Sequence, residues 1–465
     1  MLDLSKKERH LLLNKLIQSF EQFYEHTDKL PVAPKLSKEE IKNFITDRSI
    51  ESHEDAFDHV LEGLSKYAVH TPHPMYYGLF NPRSSFAGMA ADTLTAFFNP
   101  QMAAWSHAPF AVEVEEYLIK ELGIKFGFKE ASIDGAFCSG GAEANLTAMI
   151  CAAQFKFPGL KSGGWKSIPE NPVIHCSEEA HHSVIKAAII TGLGSDAVRP
   201  VRTGSDLKMD IHDLHTKIIE DIHLKNTPFL VIATEGVTGT GVIDDIKQIL
   251  TLKEKYGFWL HADAAYGGAV ILSDVYKDLL SGIEKADSIT FDAHKWLSVP
   301  MGAGIFITSH PEIMKQSFGL KTEYMPKDAE GMEVTDPFTH TIQWSRRFTG
   351  LKLYLSVLFY GWEGLAKAID YQIKIGAYLK AELKKAGWKI YNSTSLPVVC
   401  FGKDSFEHNK EGINSFCQHV IGTGRTWISV YKIKEMYALR ACITNYNTSK
   451  ENIDELIQIL DNSKF

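Results

Sequence analysis

Two side chains of opposite charge stand at the ends of apolar runs, where neither is at ease. The run 258–262 (Phe-Trp-Leu-His-Ala) ends on Asp263. A carboxylate taken out of water needs a donor or a cation to face it. A protonated ring nitrogen would serve, and so would a helix-capping or purely structural role. Lys295 follows 32 positions later in Asp292-Ala293-His294-Lys295-Trp296, directly after the run 288–291. Lysine usually keeps its ammonium in solvent. Partial desolvation and a nearby cation lower its pKa and make it an amine able to attack a carbonyl. Taken together, the pair suggests an amine that captures an aldehyde while a carboxylate holds a proton on the same ring.

Three further segments end apolar runs with polar or flexible residues. Phe137-Cys138-Ser139-Gly140-Gly141-Ala142-Glu143-Ala144-Asn145-Leu146 reads as strand, glycine turn and helix start. Such a turn points backbone N–H groups and a helix N-terminus at an anion, or serves packing alone. It is neither a dinucleotide fingerprint nor a Walker loop. The run ending at Ser177 leads to Glu178-Glu179-Ala180-His181-His182-Ser183, where a histidine could stack on a ring, sit at the surface or bind metal; no third ligand stands at zinc spacing. Thr234-Glu235-Gly236-Val237-Thr238-Gly239 supplies hydroxyls and supple backbone.

The elements that must position these residues alternate. Apolar runs at 135–138, 173–176, 229–234, 258–262, 288–291 and 303–308 are separated by periodic stretches such as 142–155, 183–191 and 244–256. Continuous apolar strands between helices imply an α/β fold with a mainly parallel sheet covered on both faces. The ligand crevice in such a sheet lies beyond the carboxyl ends of its strands. Three regions are expected: a helical arm at 1–85, a large domain at 86–365 and a smaller α/β domain at 366–465. In the arm, Ser37-Lys38-Glu39-Glu40 has the form of a capping box opening a helix at 41–45, and a second helix is expected at 53–67. Helices are also expected at 351–364, 366–386 and 450–460.

Composition narrows the partners. With 49 basic and 57 acidic residues, net −8, the chain lacks the surface that nucleic acid or an anionic membrane demands. No stretch approaches the roughly 18 apolar residues of a membrane span. Six scattered cysteines without paired spacing read as buried free thiols in a reducing cytoplasm.

In their order and spacing these segments resemble the group II pyridoxal-5′-phosphate (PLP) dependent amino-acid decarboxylases, the family of glutamate, aromatic amino-acid, cysteine-sulfinate and diaminobutyrate decarboxylases. The resemblance runs from Leu30-Pro31-Val32-Ala33-Pro34 and His73-Pro74-Met75-Tyr76-Tyr77 through His261–Gly268 and 292–296 to Gln343-Trp344-Ser345-Arg346-Arg347-Phe348 and 438–443. It implies a fold-type-I, aspartate-aminotransferase-like homodimer with a seven-stranded sheet and active sites at the subunit interface. It further implies loss of CO2 from an L-amino acid to give the amine. Lys295 would be the Schiff-base lysine, Asp263 the ring-nitrogen partner, and His181 and Ala265 the residues on the two ring faces. The Gly140-Gly141-Ala142 backbone and His294 would hold the phosphate. Thr238 would assist at the ring hydroxyl or substrate carboxylate, Arg346 would bind the α-carboxylate, and Tyr324, on a mobile lid within 321–340, would reprotonate the α-carbon.

Three departures stand out. Ala142 occupies a usual serine, leaving Ser139 and Ser183 as the hydroxyls at hand to replace it. Ser345 replaces the usual glycine before Arg346, and Ala103 stands where relatives often carry an aromatic residue. Segments 73–82 and 97–109 are expected to choose the substrate. The same scaffold also supports oxidative deamination to an aldehyde, transamination or carbon–carbon lyase chemistry. A non-catalytic binding protein is disfavoured by the intact Asp263–Lys295 pair.

Overall fold

Residues 2–46, 50–320, 322 and 331–463 are described by a computed structural model. Two compact units emerge, one of residues 80–376 with 392–398, the other of residues 1–79 with 377–391 and 399–465. The expected three-part division groups these residues differently, because the first 79 belong with the C-terminal region. Main-chain hydrogen bonds make the join: Val32 N to Gly424 O at 2.7 Å, Tyr77 N to Trp427 O at 2.9 Å and Cys442 N to Tyr77 O at 2.9 Å. Backbone pairing of this kind leaves no periodic trace in side chains.

The larger unit holds seven strands: β1 (Asp134–Cys138), β2 (Asn171–Ser177), β3 (Val198–Val201), β4 (Asn226–Thr234), β5 (Trp259–Asp263), β6 (Ser288–Asp292) and β7 (Gly304–Thr308). Their order is β1-β7-β6-β5-β4-β2-β3. All neighbours are parallel except those of β7, which runs against both β1 and β6. β3 was not among the six apolar runs, since Arg199 and Pro200 interrupt it. It is an edge strand, where a proline removes no needed ladder bond.

In β4 and β5, Phe229, Leu230, Val231, Leu260 and Ala262 are fully buried, each large side chain contributing about 1.5–3 kcal/mol. The helix Gly141–Lys156 turns Ala144, Ala148 and Ala152 toward Ile174, Leu230, Ile232 and Phe306. Its four-residue spacing of small side chains brings the helix close to the sheet. Strand ends on so tight a core are rigid mounts for chemistry.

In the smaller unit, β8 (Lys389–Ile390), β9 (Val398–Gly402), β10 (Ser429–Ile433) and β11 (Met436–Cys442) form a second sheet in the order β10-β11-β9-β8. The helices Lys6–His26, Lys38–Thr46 and His53–Lys66 bury none of their residues. Ser37 Oγ accepts from Glu40 N at 3.3 Å, as its pattern implied. The two helices expected at 351–364 and 366–386 are joined as Leu351–Lys385, broken at Gly361. Its φ of 65° suits glycine alone.

All six cysteines are free and buried. Burial pushes the thiols of Cys151 and Cys176 up to about 12. Among the described residues no helix is long and apolar enough to cross a membrane.

Candidate active site

Asp263 is the last residue of β5, and Lys295 lies in the short helix Ala293–Trp296 that follows β6. The two strands are parallel neighbours with Asp263 opposite Thr290, so both side chains arrive at the same end of the sheet. Asp263 is 6% exposed. Its Oδ2 accepts from Asn145 Nδ2 at 2.8 Å and its Oδ1 from Ala265 N at 3.3 Å. Two donors to the anionic form are what a buried carboxylate requires.

Lys295 Nζ stands 3.0 Å from Asp292 Oδ2 and 5.9 Å from the ring centre of Phe80. Phe80 stacks on Tyr266 at 3.9 Å, and Tyr266 on Trp296 at 4.8 Å. Three rings thus build an apolar wall beside the amine. The indole N–H of Trp296 donates to Gln372 Oε1.

The glycine turn lies against the same residues. A Cβ on Gly141 would fall 2.8 Å from Asp292 Oδ2 and 3.3 Å from the Ala265 methyl, and one on Gly140 would fall 3.4 Å from His294 Cε1. Helix Gly141–Lys156 begins there with no side-chain cap, and Ala142 is exposed. His294 is buried, and its Nδ1 accepts from Ala303 N at 3.1 Å. His181 is exposed at its edge but partly desolvated, which lowers its pKa, while Asp263 raises it and Lys295 lowers it, so the three groups lie near one another. The backbone N–H of Ser183 points to His181 Nδ1 at 3.2 Å, which leaves the ring proton on Nε2.

Neither hydroxyl offered in place of the missing serine is idle. Ser139 Oγ donates to Glu143 Oε2 at 2.6 Å, and Ser183 Oγ is engaged by Asn145 Nδ2 at 2.9 Å and His181 Nδ1 at 2.8 Å. Glu143 is anchored in turn by Gln343 Nε2. Thr238 lies half-buried in a turn after β4. Tyr324 lies outside the described residues.

Arg346 is engaged elsewhere. Its Nη1 is 2.6 Å from Glu115 Oε2, with both side chains buried. Glu115 Oε1 also accepts from Thr349 N at 3.1 Å and Gly350 N at 2.9 Å, so it fixes the start of helix Leu351–Lys385. Arg346 Nε has no hydrogen-bond partner. Ser345 Oγ accepts from Gln101 Nε2, and Ala103 O from Phe338 N. Glu115→Ala would strand the Arg346 charge in the interior. A loss of about 3–5 kcal/mol is expected, read as a lower denaturation midpoint, with Glu115→Gln recovering part of it.

Sequence reasoning gave no role to Asn145, Asp292 or Phe80. Asn145 lay within a quoted motif, and a polar amide on the sheet-facing side of an alanine-rich helix was a signal that it has partners.

A sequence model described as the pyridoxal-dependent decarboxylase conserved domain matches residues 39–403. The aromatic-L-amino-acid decarboxylase of Bacillus atrophaeus is 29% identical over 469 aligned positions, covering 99% of this chain and 95% of that protein. Cysteine sulfinic acid decarboxylase of Mus musculus is 31% identical over 370 positions, 78% of this chain and 74% of that one. The crystal structure of the mouse protein CSAD superposes with a TM-score of 0.88 at 27% identity, covering 97% of this chain and 98% of that one. Oryza sativa TDC, solved with PLP and tryptamine, shares the fold at a TM-score of 0.92 and 19% identity, covering 100% and 99%.

Proposed function

The chain belongs to the pyridoxal-dependent decarboxylase family, and from that premise we propose that it converts an L-amino acid to its amine and CO2 with Lys295 as the cofactor-bearing residue. The observation that carries this reading is the delivery of Lys295 and Asp263 by parallel neighbouring strands to one end of the sheet. The residues present fit PLP: a bare glycine turn at an uncapped helix start suits a phosphate, Ala265 is small enough to lie against a flat ring, and Asp263 is held at a strand end by two donors, Asn145 Nδ2 and Ala265 N.

Lys295 would hold the cofactor covalently, Asp263 would face its ring nitrogen, and His181 and Ala265 would take its two faces. The Gly140-Gly141-Ala142 backbone and His294 would hold its phosphate. Bound there, PLP supplies the electron sink that lets a carbon–carbon bond beside an amine break. Asp263 would keep a proton on the nitrogen it faces. Asp292 stores the ammonium of Lys295 whenever that amine is free. His181 would present Nε2–H toward the reacting side, and the wall of Phe80, Tyr266 and Trp296 would limit water near the amine. Arg346 would bind the α-carboxylate, with Thr238 assisting there or at the ring hydroxyl and Tyr324 returning a proton to the α-carbon.

Exposed apolar residues support a second copy of the chain as partner. In the larger unit Phe97 (80% exposed), Phe98, Phe110, Leu358 and Phe359 lie open. In the smaller unit Leu11, Leu13, Ile17 and Leu64 do so on the N-terminal helices, which fits an arm that packs on the partner. Free thiols in every cysteine favour a cytoplasmic location.

Incubating PLP-loaded protein with single acidic, aromatic and basic amino acids, and measuring CO2 and amine, tests the reading. Release of neither from any of them would sink it. An aldehyde or keto acid in place of amine would select the diverted reaction.

A further inference from the structure

Behind Asp263 lies a buried chain of hydrogen bonds whose direction can be read from its ends. The indole N–H of Trp259 only donates, and it does so to Ser288 Oγ at 2.8 Å. The Ser288 hydroxyl hydrogen is then left for His261 Nδ1, also at 2.8 Å. At the other end the Asp263 carboxylate only accepts, so Asn145 turns Nδ2 to it and Oδ1 to His261, whose proton then sits on Nε2, 3.0 Å from Asn145 Oδ1 and 3.1 Å from Thr290 Oγ1. Burial holds the His261 pKa down to about 4, so the ring stays neutral. Thr290 Oγ1 donates to the same Asn145 oxygen at 2.7 Å.

With two donors aimed at Oδ1, the Asn145 amide has one orientation. Its two N–H groups go to Asp263 Oδ2 at 2.8 Å and to Ser183 Oγ at 2.9 Å. All four of its hydrogen-bonding positions are filled, and a flipped amide would set oxygen against the Asp263 carboxylate. Asn145 is 3% exposed and sits one turn into helix Gly141–Lys156, so neither backbone nor water offers it a second arrangement.

We propose that Asn145 is a positioning residue: it fixes the rotamer of Asp263 and aims that carboxylate at the ring nitrogen, without itself touching cofactor or substrate. The inference rests on the assignment of Asp263 above. A fully satisfied buried network specifies one geometry more firmly than its separate bonds would.

A double-mutant cycle on PLP affinity, measured by titrating cofactor-free protein, tests the proposal. Asn145→Leu, similar in shape but without donors, is expected to bind PLP about tenfold more weakly, the size of one lost hydrogen bond to a charged group. Asp263→Asn is expected to weaken it about a hundredfold. The double variant should bind no more weakly than Asp263→Asn, because Asn145 acts through that carboxylate. An Asn145→Leu protein with wild-type affinity, or two losses that multiply, would overturn the proposal. Should Asn145→Leu not fold, Asn145→Ser takes its place with the same expectations, since one hydroxyl cannot serve both acceptors. Wild-type and Asp263→Asn proteins of equal affinity would instead overturn the assignment of Asp263 and this proposal with it.

Discussion

Lys295→Ala is expected to lower CO2 release by on the order of 10⁴-fold or more, as removal of a covalent catalyst does in other enzymes. The visible absorbance band of the lysine–cofactor bond should vanish with it. A second effect travels alongside. Lys295 Nζ is the cation 3.0 Å from the buried Asp292, whose Oδ1 already has no hydrogen-bond partner. Taking the ammonium away leaves an uncompensated interior carboxylate, so stability should fall too. Lys295→Arg separates the effects: a guanidinium can still face Asp292, so the melting temperature should recover, while activity and absorbance band should not. A Lys295→Ala protein that still released CO2 at the wild-type rate would remove the premise on which all assigned roles stand.

Asp263→Asn should have the next largest effect. The amide neither carries the charge that keeps a ring nitrogen protonated nor accepts as strongly from Asn145 Nδ2 and Ala265 N. Loss of preorganised charge opposite a developing transition state costs on the order of 10²–10³-fold in rate. Asp263→Glu keeps the charge but not the fit, because Asn145 and Ala265 are spaced for the shorter side chain. It should recover only part of the loss. Rates measured at saturating PLP separate this effect from weakened cofactor binding, and a wild-type rate for Asp263→Asn would place the ring nitrogen elsewhere.

The parts of this site that local sequence carries were legible in advance. Asp263 and Lys295 stand at the ends of apolar runs, and runs of that kind make strands whose ends are fixed by the core. Gly140-Gly141 announced a turn against which other atoms crowd, here Asp292, Ala265 and His294. Long-range pairing was not legible. Glu115 and Arg346 meet across 231 positions, and nothing near either marks the other. Arg346 was read by its motif as a ligand for substrate, whereas the fold has it neutralise a buried glutamate as well. β3 was hidden by Arg199 and Pro200, which only an edge position tolerates. Asn145 was hidden for a different reason: its role comes from Trp259, Ser288, His261 and Thr290, which together orient it, and none of them lies near it in sequence.

The sequestered sulfurs described above make the protein a recorder of its own unfolding. Only the thiolate reacts with a disulfide reagent at useful speed, and Cys138, Cys151, Cys176, Cys400, Cys417 and Cys442 are all withheld from water. Colour development in such an assay therefore measures how often the native packing opens, with Cys138, Cys151 and Cys176 reporting on the larger unit and Cys400, Cys417 and Cys442 on the smaller. Applied to each variant above, the assay tells a chemically silenced protein that is still folded from one that has come apart, and it needs neither cofactor nor substrate.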